Sequence, residues 1–257
     1  MLNRKHDSHK GDNGKVMIIG GNEMFHGAPI LCALAAEFSG ADLVYPFIPP
    51  CQVETAKSYS LNFIIHQFEK NFLTEKDNKK ILSLSKHVDA VVIGPGLGTD
   101  SKTKDAMKSL LSQLTVPTIV DADALMYMNS FPKTTVLTPH RGEFKELTGD
   151  EPTPQNVQKW AKNLKVIIVC KGPKDIIADN DEVAINETGN PLMTVGGTGD
   201  ALSGLIGGLI AQGMRPFEAG VFATKIFGKA ADSLAGAQGS LRAIDIIHAI
   251  PAMLHKN

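Results

Sequence analysis

The chain has 257 residues, 43% of them hydrophobic, enough for one large α/β domain or two small ones around a sizeable core. Its formal net charge of −1 leaves no electrostatic case for nucleic acid or an anionic membrane surface. The three cysteines (Cys32, Cys51, Cys170) are odd in number, far apart and set in apolar runs, which argues against a disulfide framework or zinc site and fits buried thiols in a reducing compartment. Residues 1–14 are polar and charged, with no apolar signal core, and the longest apolar stretch, Ala201 to Ala211, is too short and glycine-rich to span a bilayer. A soluble cytoplasmic protein is the expectation.

Strand-like and helical segments alternate along the chain. Lys15–Ile19 is a β-branched run ending at Gly20-Gly21, and Ala28–Ser39 follows with apolar residues at helical spacing, closed by Gly40. Leu43–Phe47 reads as a strand ended by Pro49-Pro50, and Asn62–His66 as another. Glu75–Lys86 is a two-faced helix, and Val88–Ile93 a strand running into Gly94-Pro95-Gly96-Leu97-Gly98. Thr103–Leu114 is helical, and Pro117–Val120 is a strand ending in Asp121-Ala122-Asp123. A short strand, Thr135–Leu137, precedes Thr138-Pro139-His140. Glu143–Thr148 and Gln155–Leu164 read as helices and Val166–Cys170 as a strand. Ile176–Ala178 and Glu182–Ile185 make a candidate hairpin around Asn180-Asp181. The last third is helical, over Ala201–Gln212, Pro216–Leu234 and Ile244–His255.

This βαβ alternation predicts an α/β fold with a mostly parallel sheet and helices on both faces. With no repeat, low-complexity segment or linker, one domain over residues 1–257 is expected. In such sheets ligands bind beyond the carboxyl ends of the strands. The polar or glycine-rich loops at 20–27, 94–99, 121–123, 138–143, 171–175 and 196–200 should converge there.

The densest signal is Thr194-Val195-Gly196-Gly197-Thr198-Gly199-Asp200, a glycine-rich turn opening a helix. Backbone N–H groups at such a turn converge, and the helix dipole adds positive potential, so the turn suits a phosphate or developing oxyanion. Asp200 is then either a base beside that phosphate or only a helix cap. Gly94–Gly98 has G-x-G-x-G spacing, a weak match to a dinucleotide fingerprint. Thr138 and Glu143 could cap a helix, with His140 an ordinary loop residue or a ligand contact. Asp121 and Asp123 could hold Mg²⁺ through waters or cap a helix after the strand. Lys171-Gly172 could approach a nucleotide or form a surface turn.

Taken together, these segments resemble the ADP/ATP-dependent NAD(P)H-hydrate dehydratase family of the ribokinase-like superfamily. The resemblance runs from about Ser8 to Ala252. Its pieces are Gly14-Lys15-Val16, Ile19-Gly20-Gly21, Gly27-Ala28-Pro29, Ile93 to Gly98, Asp121-Ala122-Asp123-Ala124-Leu125, Leu137-Thr138-Pro139-His140 with Gly142-Glu143-Phe144, Lys171-Gly172 and Gly196 to Asp200, all in the family's order. The resemblance implies a three-layer ribokinase-like fold and a lyase of metabolite repair, which uses ADP or ATP to phosphorylate the 6-hydroxyl of hydrated NADH or NADPH and then eliminates phosphate.

By residue matching, Asp200 would be the base and Gly197, Thr198 and Gly199 would stabilise the transferring phosphoryl group. Ala28, Gly96 and His140 would line the hydrated-cofactor site. Lys171, Gly172, Pro173, Lys174, Asp175 and Gly199 would contact the adenine nucleotide, and Glu143 would serve Mg²⁺ through water. Related kinases carry N-x-x-E where this chain has His140 to Glu143, so His140 counts against the alternative of a vitamin-precursor kinase. A non-catalytic nucleotide sensor, the third reading, has no need of Asp200.

Two departures stand out: Phe25-His26 where Tyr-Thr is frequent, and Asp175 where threonine is common. Many relatives carry an N-terminal epimerase domain. Here the first matched strand begins at Lys15, too early to leave room for one, so any epimerase is expected to be separate. Relatives often form tetramers, and the apolar last third could supply an interface. ADP against ATP, and NADH hydrate against NADPH hydrate, stay open at this level.

Overall fold

A computed structural model describes residues 4, 6–127, 131–132, 134–236 and 239–255. Among them, the elements in chain order are β1 (Lys15–Ile19), α1 (Gly27–Phe38), β2 (Leu43–Ile48), α2 (Val53–Tyr59), β3 (His66–Gln67), α3 (Glu75–Ser85), β4 (Ala90–Ile93) and α4 (Ser101–Leu111). There follow β5 (Thr118–Val120), β6 (Thr135–Leu137), α5 (Arg141–Thr148), α6 (Pro154–Leu164), β7 (Ile167–Cys170), β8 (Asp175–Ala178), β9 (Val183–Asn186), α7 (Thr198–Ala211), α8 (Pro216–Ala235) and α9 (Ala243–His255).

The strands form one sheet in the order β3-β2-β1-β4-β5-β6-β7-β8-β9. Pairing is parallel from β3 through β7, then antiparallel where β8 and β9 close the edge as a hairpin. That hairpin turns at Asn180-Asp181, where Asp179 Oδ1 accepts from the N–H groups of Asp181 and Glu182.

Alternation along the strands makes the three layers. In β1, Val16 and Ile18 face a core shared with α1, α7, α8 and α9, and Met17 and Ile19 face a second core shared with α3, α4 and α6. Every residue of β4 is buried, as expected for a central parallel strand covered on both sides. Each fully buried Ile or Leu side chain contributes about 1.5–3 kcal/mol relative to exposure. No helix among the described residues is long and apolar enough to cross a membrane.

Two sequence expectations are corrected, and one helix is added that the sequence reading missed. The strand expected at Asn62–His66 is only His66–Gln67. The hydroxyl of Ser60 and the amide of Asn62 both donate to Glu37 Oε1 (3.0 and 2.6 Å), so the start of the segment is tied to α1, and before His66 it meets β2 through Ile64 N donating to Val44 O (3.0 Å). Helix α2, where only Ala56 is buried, lacks the apolar periodicity that would announce it. Cys51, expected to be buried, is exposed in a 3-10 turn, while Cys32 and Cys170 are buried.

Candidate active site

The carboxyl ends of β4, β5, β6 and β7 deliver their loops to one edge of the sheet. The pairing of β6 with β7 extends one step beyond both strands through a parallel bridge between His140 and Lys171, with Lys171 N donating to Pro139 O (2.8 Å). The head of α7 arrives at the same place. Its N-cap, Gly197, has φ +93°, a left-handed conformation that side chains resist, and supplies no side-chain cap. The first-turn N–H groups therefore head a fourteen-residue helix without a capping oxygen, the arrangement that receives anions. The Thr198 hydroxyl turns back to Val195 O (3.0 Å).

Four charged groups meet at this head. The Lys171 ammonium lies 2.7 Å from Asp121 Oδ1, and the Thr138 hydroxyl donates to that same oxygen at 2.7 Å. Asp121 is 1% exposed. A Cβ built on Gly199 would meet Lys171 Nζ at 3.1 Å, so the ammonium rests against the first turn of α7. Burial opposes the Lys171 charge, but Asp121, Glu143 and Asp200 outweigh it and hold its pKa above the ordinary lysine value. Asp200, the third residue of α7, is pushed up to about 7, first by burial and then by the charge of Asp121, with Asp123 adding to the rise and Lys171 opposing it. The carboxylate of Asp123 accepts from Gly98 N (2.7 Å) and so ties the β5 loop to the Gly94–Gly98 loop.

A cavity of about 540 Å³ opens beside these groups. It gathers His140, Lys171, Gly172, Pro173, Asp175, Thr198 and Gly199, which the sequence placed in the site. Lys174 is outside the lining, and its ammonium pairs with Glu187 (2.5 Å). Asp175, at the departure from the family pattern, accepts from Gly172 N and from Asn186 Nδ2 (3.0 Å each), which fixes the turn after β7. Burial is the main cause of its raised pKa.

Ala28 and Gly96 lie apart from this lining and next to each other. A Cβ on Gly96 would come within 3.1 Å of Ala28 Cβ and 2.9 Å of Phe25 Cβ, so Phe25 and Ala28 wall the Gly96 loop. Phe25 is half exposed. The buried amide of Gln52 donates to the carbonyls of Asn22 (2.5 Å) and Phe25 (3.3 Å) and anchors that loop from beneath.

His140 and Glu143 form a reciprocal cap on α5: Glu143 N donates to His140 Nδ1 (3.1 Å), and His140 N donates to Glu143 Oε2 (2.7 Å). Among the described residues, no group of three or more His, Cys, Asp or Glu side chains could hold a metal ion.

The cavity's far wall escaped the sequence reading. It comes from the segment after β9, including Thr188 and Asn190, and from Thr224, Phe227 and Gly228 of α8. The available signal was glycine inside a long helix. A Cβ on Gly228 would meet the Thr188 hydroxyl at 2.3 Å, so that helix must pass close to the loop.

Comparison with known proteins gives a consistent picture. Residues 16–252 match the family model described as NAD(P)H-hydrate dehydratase. The chain is 34% identical to an ADP-dependent (S)-NAD(P)H-hydrate dehydratase of Cenarchaeum symbiosum, over 98% of this chain and 92% of that protein. It is 37% identical to a bifunctional NAD(P)H-hydrate repair enzyme of Pyrobaculum aerophilum, over 98% of this chain and 53% of that protein. The chain thus spans about half the length of the bifunctional relatives it matches. Among solved structures, the ADP/ATP-dependent NAD(P)H-hydrate dehydratase of Bacillus subtilis, co-crystallised with ATP and Mg²⁺, superposes with a TM-score of 0.88 at 27% identity, over 99% of this chain and 93% of that one.

Proposed function

The chain belongs to the NAD(P)H-hydrate dehydratase family, and on that premise we propose that it returns hydrated NADH or NADPH to the dihydronicotinamide form at the expense of ADP or ATP. The observation that carries the reading is the position of Asp200, a carboxyl with a pKa of about 7, one residue beyond Thr198 and Gly199, which line the cavity at the uncapped head of α7.

In this reading the adenine nucleotide occupies the cavity against Lys171, Gly172, Pro173 and Asp175, and its terminal phosphate meets Gly197, Thr198, Gly199 and the Lys171 ammonium. The hydrated ring lies along Ala28, Gly96 and His140. Asp200 takes the proton of the 6-hydroxyl as that oxygen bonds to phosphorus and the bond to the departing nucleotide breaks. Helix-head N–H groups and Lys171 offset the charge on the phosphoryl oxygens. The ring nitrogen then pushes phosphate from C6, and loss of a proton from C5 restores the double bond. Phosphorylation matters because hydroxide is a poor leaving group and phosphate a good one.

Mg²⁺ suits this donor set as a companion of the nucleotide. With no protein cage among the described residues, it would take phosphate oxygens and waters, with Glu143 reached through water. Bound there, it would neutralise phosphate charge.

The test is recovery of dihydronicotinamide absorbance from hydrated cofactor with ADP and ATP supplied separately. Recovery that requires nucleotide supports the reading, and a stable phosphorylated product that accumulates without recovery would replace it with a kinase.

A further inference from the structure

We propose that Asp121 is a positioning residue for phosphoryl transfer: its buried carboxylate pins the Lys171 ammonium against the head of α7, where the transferring group must pass. The inference rests on the repair reaction proposed above.

A lysine stem of four carbons has many rotamers, and something must select one. Three contacts do so here. Asp121 Oδ1 holds the ammonium at 2.7 Å, and the Thr138 hydroxyl, donating to the same oxygen, fixes that oxygen in turn. Gly199 lets the ammonium close on the helix backbone, since a Cβ there would stand 3.1 Å from Nζ. Asp121 is 1% exposed at its side chain and Lys171 17%, so water cannot exchange freely with the pair. Lys171 also lines the cavity. An ammonium has three donors, and the pair with Asp121 takes one, leaving others to meet an anion entering from the cavity.

Stability alone is a poor reason for such a pair. Two buried charges repay their desolvation weakly, and apolar residues of similar volume often do as well. The pair makes more sense as charge management. Asp121 cancels much of the Lys171 charge in the resting site, so the lysine does not hold ground-state phosphate too tightly, yet it stays aimed at the oxygens on which charge develops. Asp121 also acts on the base. The charged and titratable groups facing Asp200 are Asp121 and Asp123 from the end of β5, Lys171 from the end of β7, and the Cys32 thiol from α1. Removing the Asp121 charge lets Asp200 ionise at lower pH.

The test is Asp121→Asn in the full chain, assayed for kcat, for ADP and ATP affinity by calorimetry, and for the pH dependence of turnover. Thr138→Val is the milder companion, because it removes the donor to Asp121 Oδ1 with little change in volume. The expected result for Asp121→Asn is a kcat loss of at least about tenfold, nucleotide binding unchanged or tighter, and an acid limb moved to lower pH. Thr138→Val should lower kcat in the same direction, and it carries the comparison if Asp121→Asn does not fold. Wild-type kcat in the variants would overturn the inference, as would equal losses in kcat, nucleotide affinity and thermal stability, which mean structural support alone. A wild-type protein that binds nucleotide but restores no hydrated cofactor overturns the proposed reaction, and this inference with it. An active wild type with indifferent variants overturns only the role of Asp121.

Discussion

Gly94 lies beneath the backbone of Asp121 so closely that a Cβ on Gly94 would stand 1.8 Å from the Asp121 carbonyl oxygen. The two residues directly follow β4 and β5, and Asp121 N donates to Ile93 O (3.0 Å) across the same gap. The contact brings the Gly94–Gly98 loop and the Asp121–Asp123 turn to one edge. Gly94→Ala adds a methyl into a backbone oxygen at φ +128°, where a side chain is also strained. The variant should lose about 4 kcal/mol or more, lowering Tm on the order of 10 °C. Gly27→Ala, with nothing within 4 Å of its added methyl, should melt near wild type. Thermal melts of both variants check the contrast.

Asp200→Asn keeps the shape of the helix head and removes the proposed base. Turnover should fall on the order of 10²–10⁴-fold, while ADP or ATP binding survives. Steady-state kinetics beside calorimetric nucleotide titration reads both, and unchanged turnover would remove Asp200 from its role.

Turnover should rise with pH through about 7, because Asp200 accepts a proton only when ionised and its pKa is raised to that value. A profile flat down to the ordinary carboxylate range would contradict this assignment.

The same shift has a consequence for stability, of opposite sign to its effect on turnover. A carboxyl with a raised pKa binds its proton more tightly when folded. Its stabilising contribution is full below the ordinary Asp value and is lost as pH rises through about 7. Asp200→Asn escapes that loss, so its Tm advantage over wild type should grow between about pH 5 and about pH 8. A constant difference across that range would count against the shift.

His140 caps α5 and also lines the cavity. His140→Ala breaks the reciprocal cap with Glu143 and should cost about 1 kcal/mol. Asn is a favoured N-cap residue, so His140→Asn should melt near wild type while raising KM for the hydrated cofactor. Comparing melts and KM values for the two variants separates capping from binding.

Much of the fold could be read from the chain because the buried strands carry compact β-branched runs. Lys15–Ile19 and Thr135–Leu137 match their strands end to end, and the helices at Glu75, Pro216 and Gln155 differ from expectation by one residue at most at either end. What escaped was set by tertiary context. His66 and Gln67 form a strand only because they lie beside Phe47 and Ile48, and α2 has too little apolar surface to signal itself. The site divides in the same way. Local motifs marked Gly197–Asp200, His140 and Lys171. The pairing of Lys171 with Asp121 joins residues fifty positions apart, and the cavity wall at Thr188 and Phe227 comes from segments with no motif of their own.

The most direct measurement follows one oxygen atom. Hydrated NADH prepared with an ¹⁸O-labelled 6-hydroxyl is given to the protein with Mg²⁺ and ADP or ATP, and the released phosphate is analysed by mass. Phosphorylation of that hydroxyl followed by C–O cleavage must deliver the label into inorganic phosphate, one atom per cofactor restored. Unlabelled phosphate, with the label lost to water, would mean that the nucleotide is hydrolysed without phosphorylating the substrate and would contradict the account.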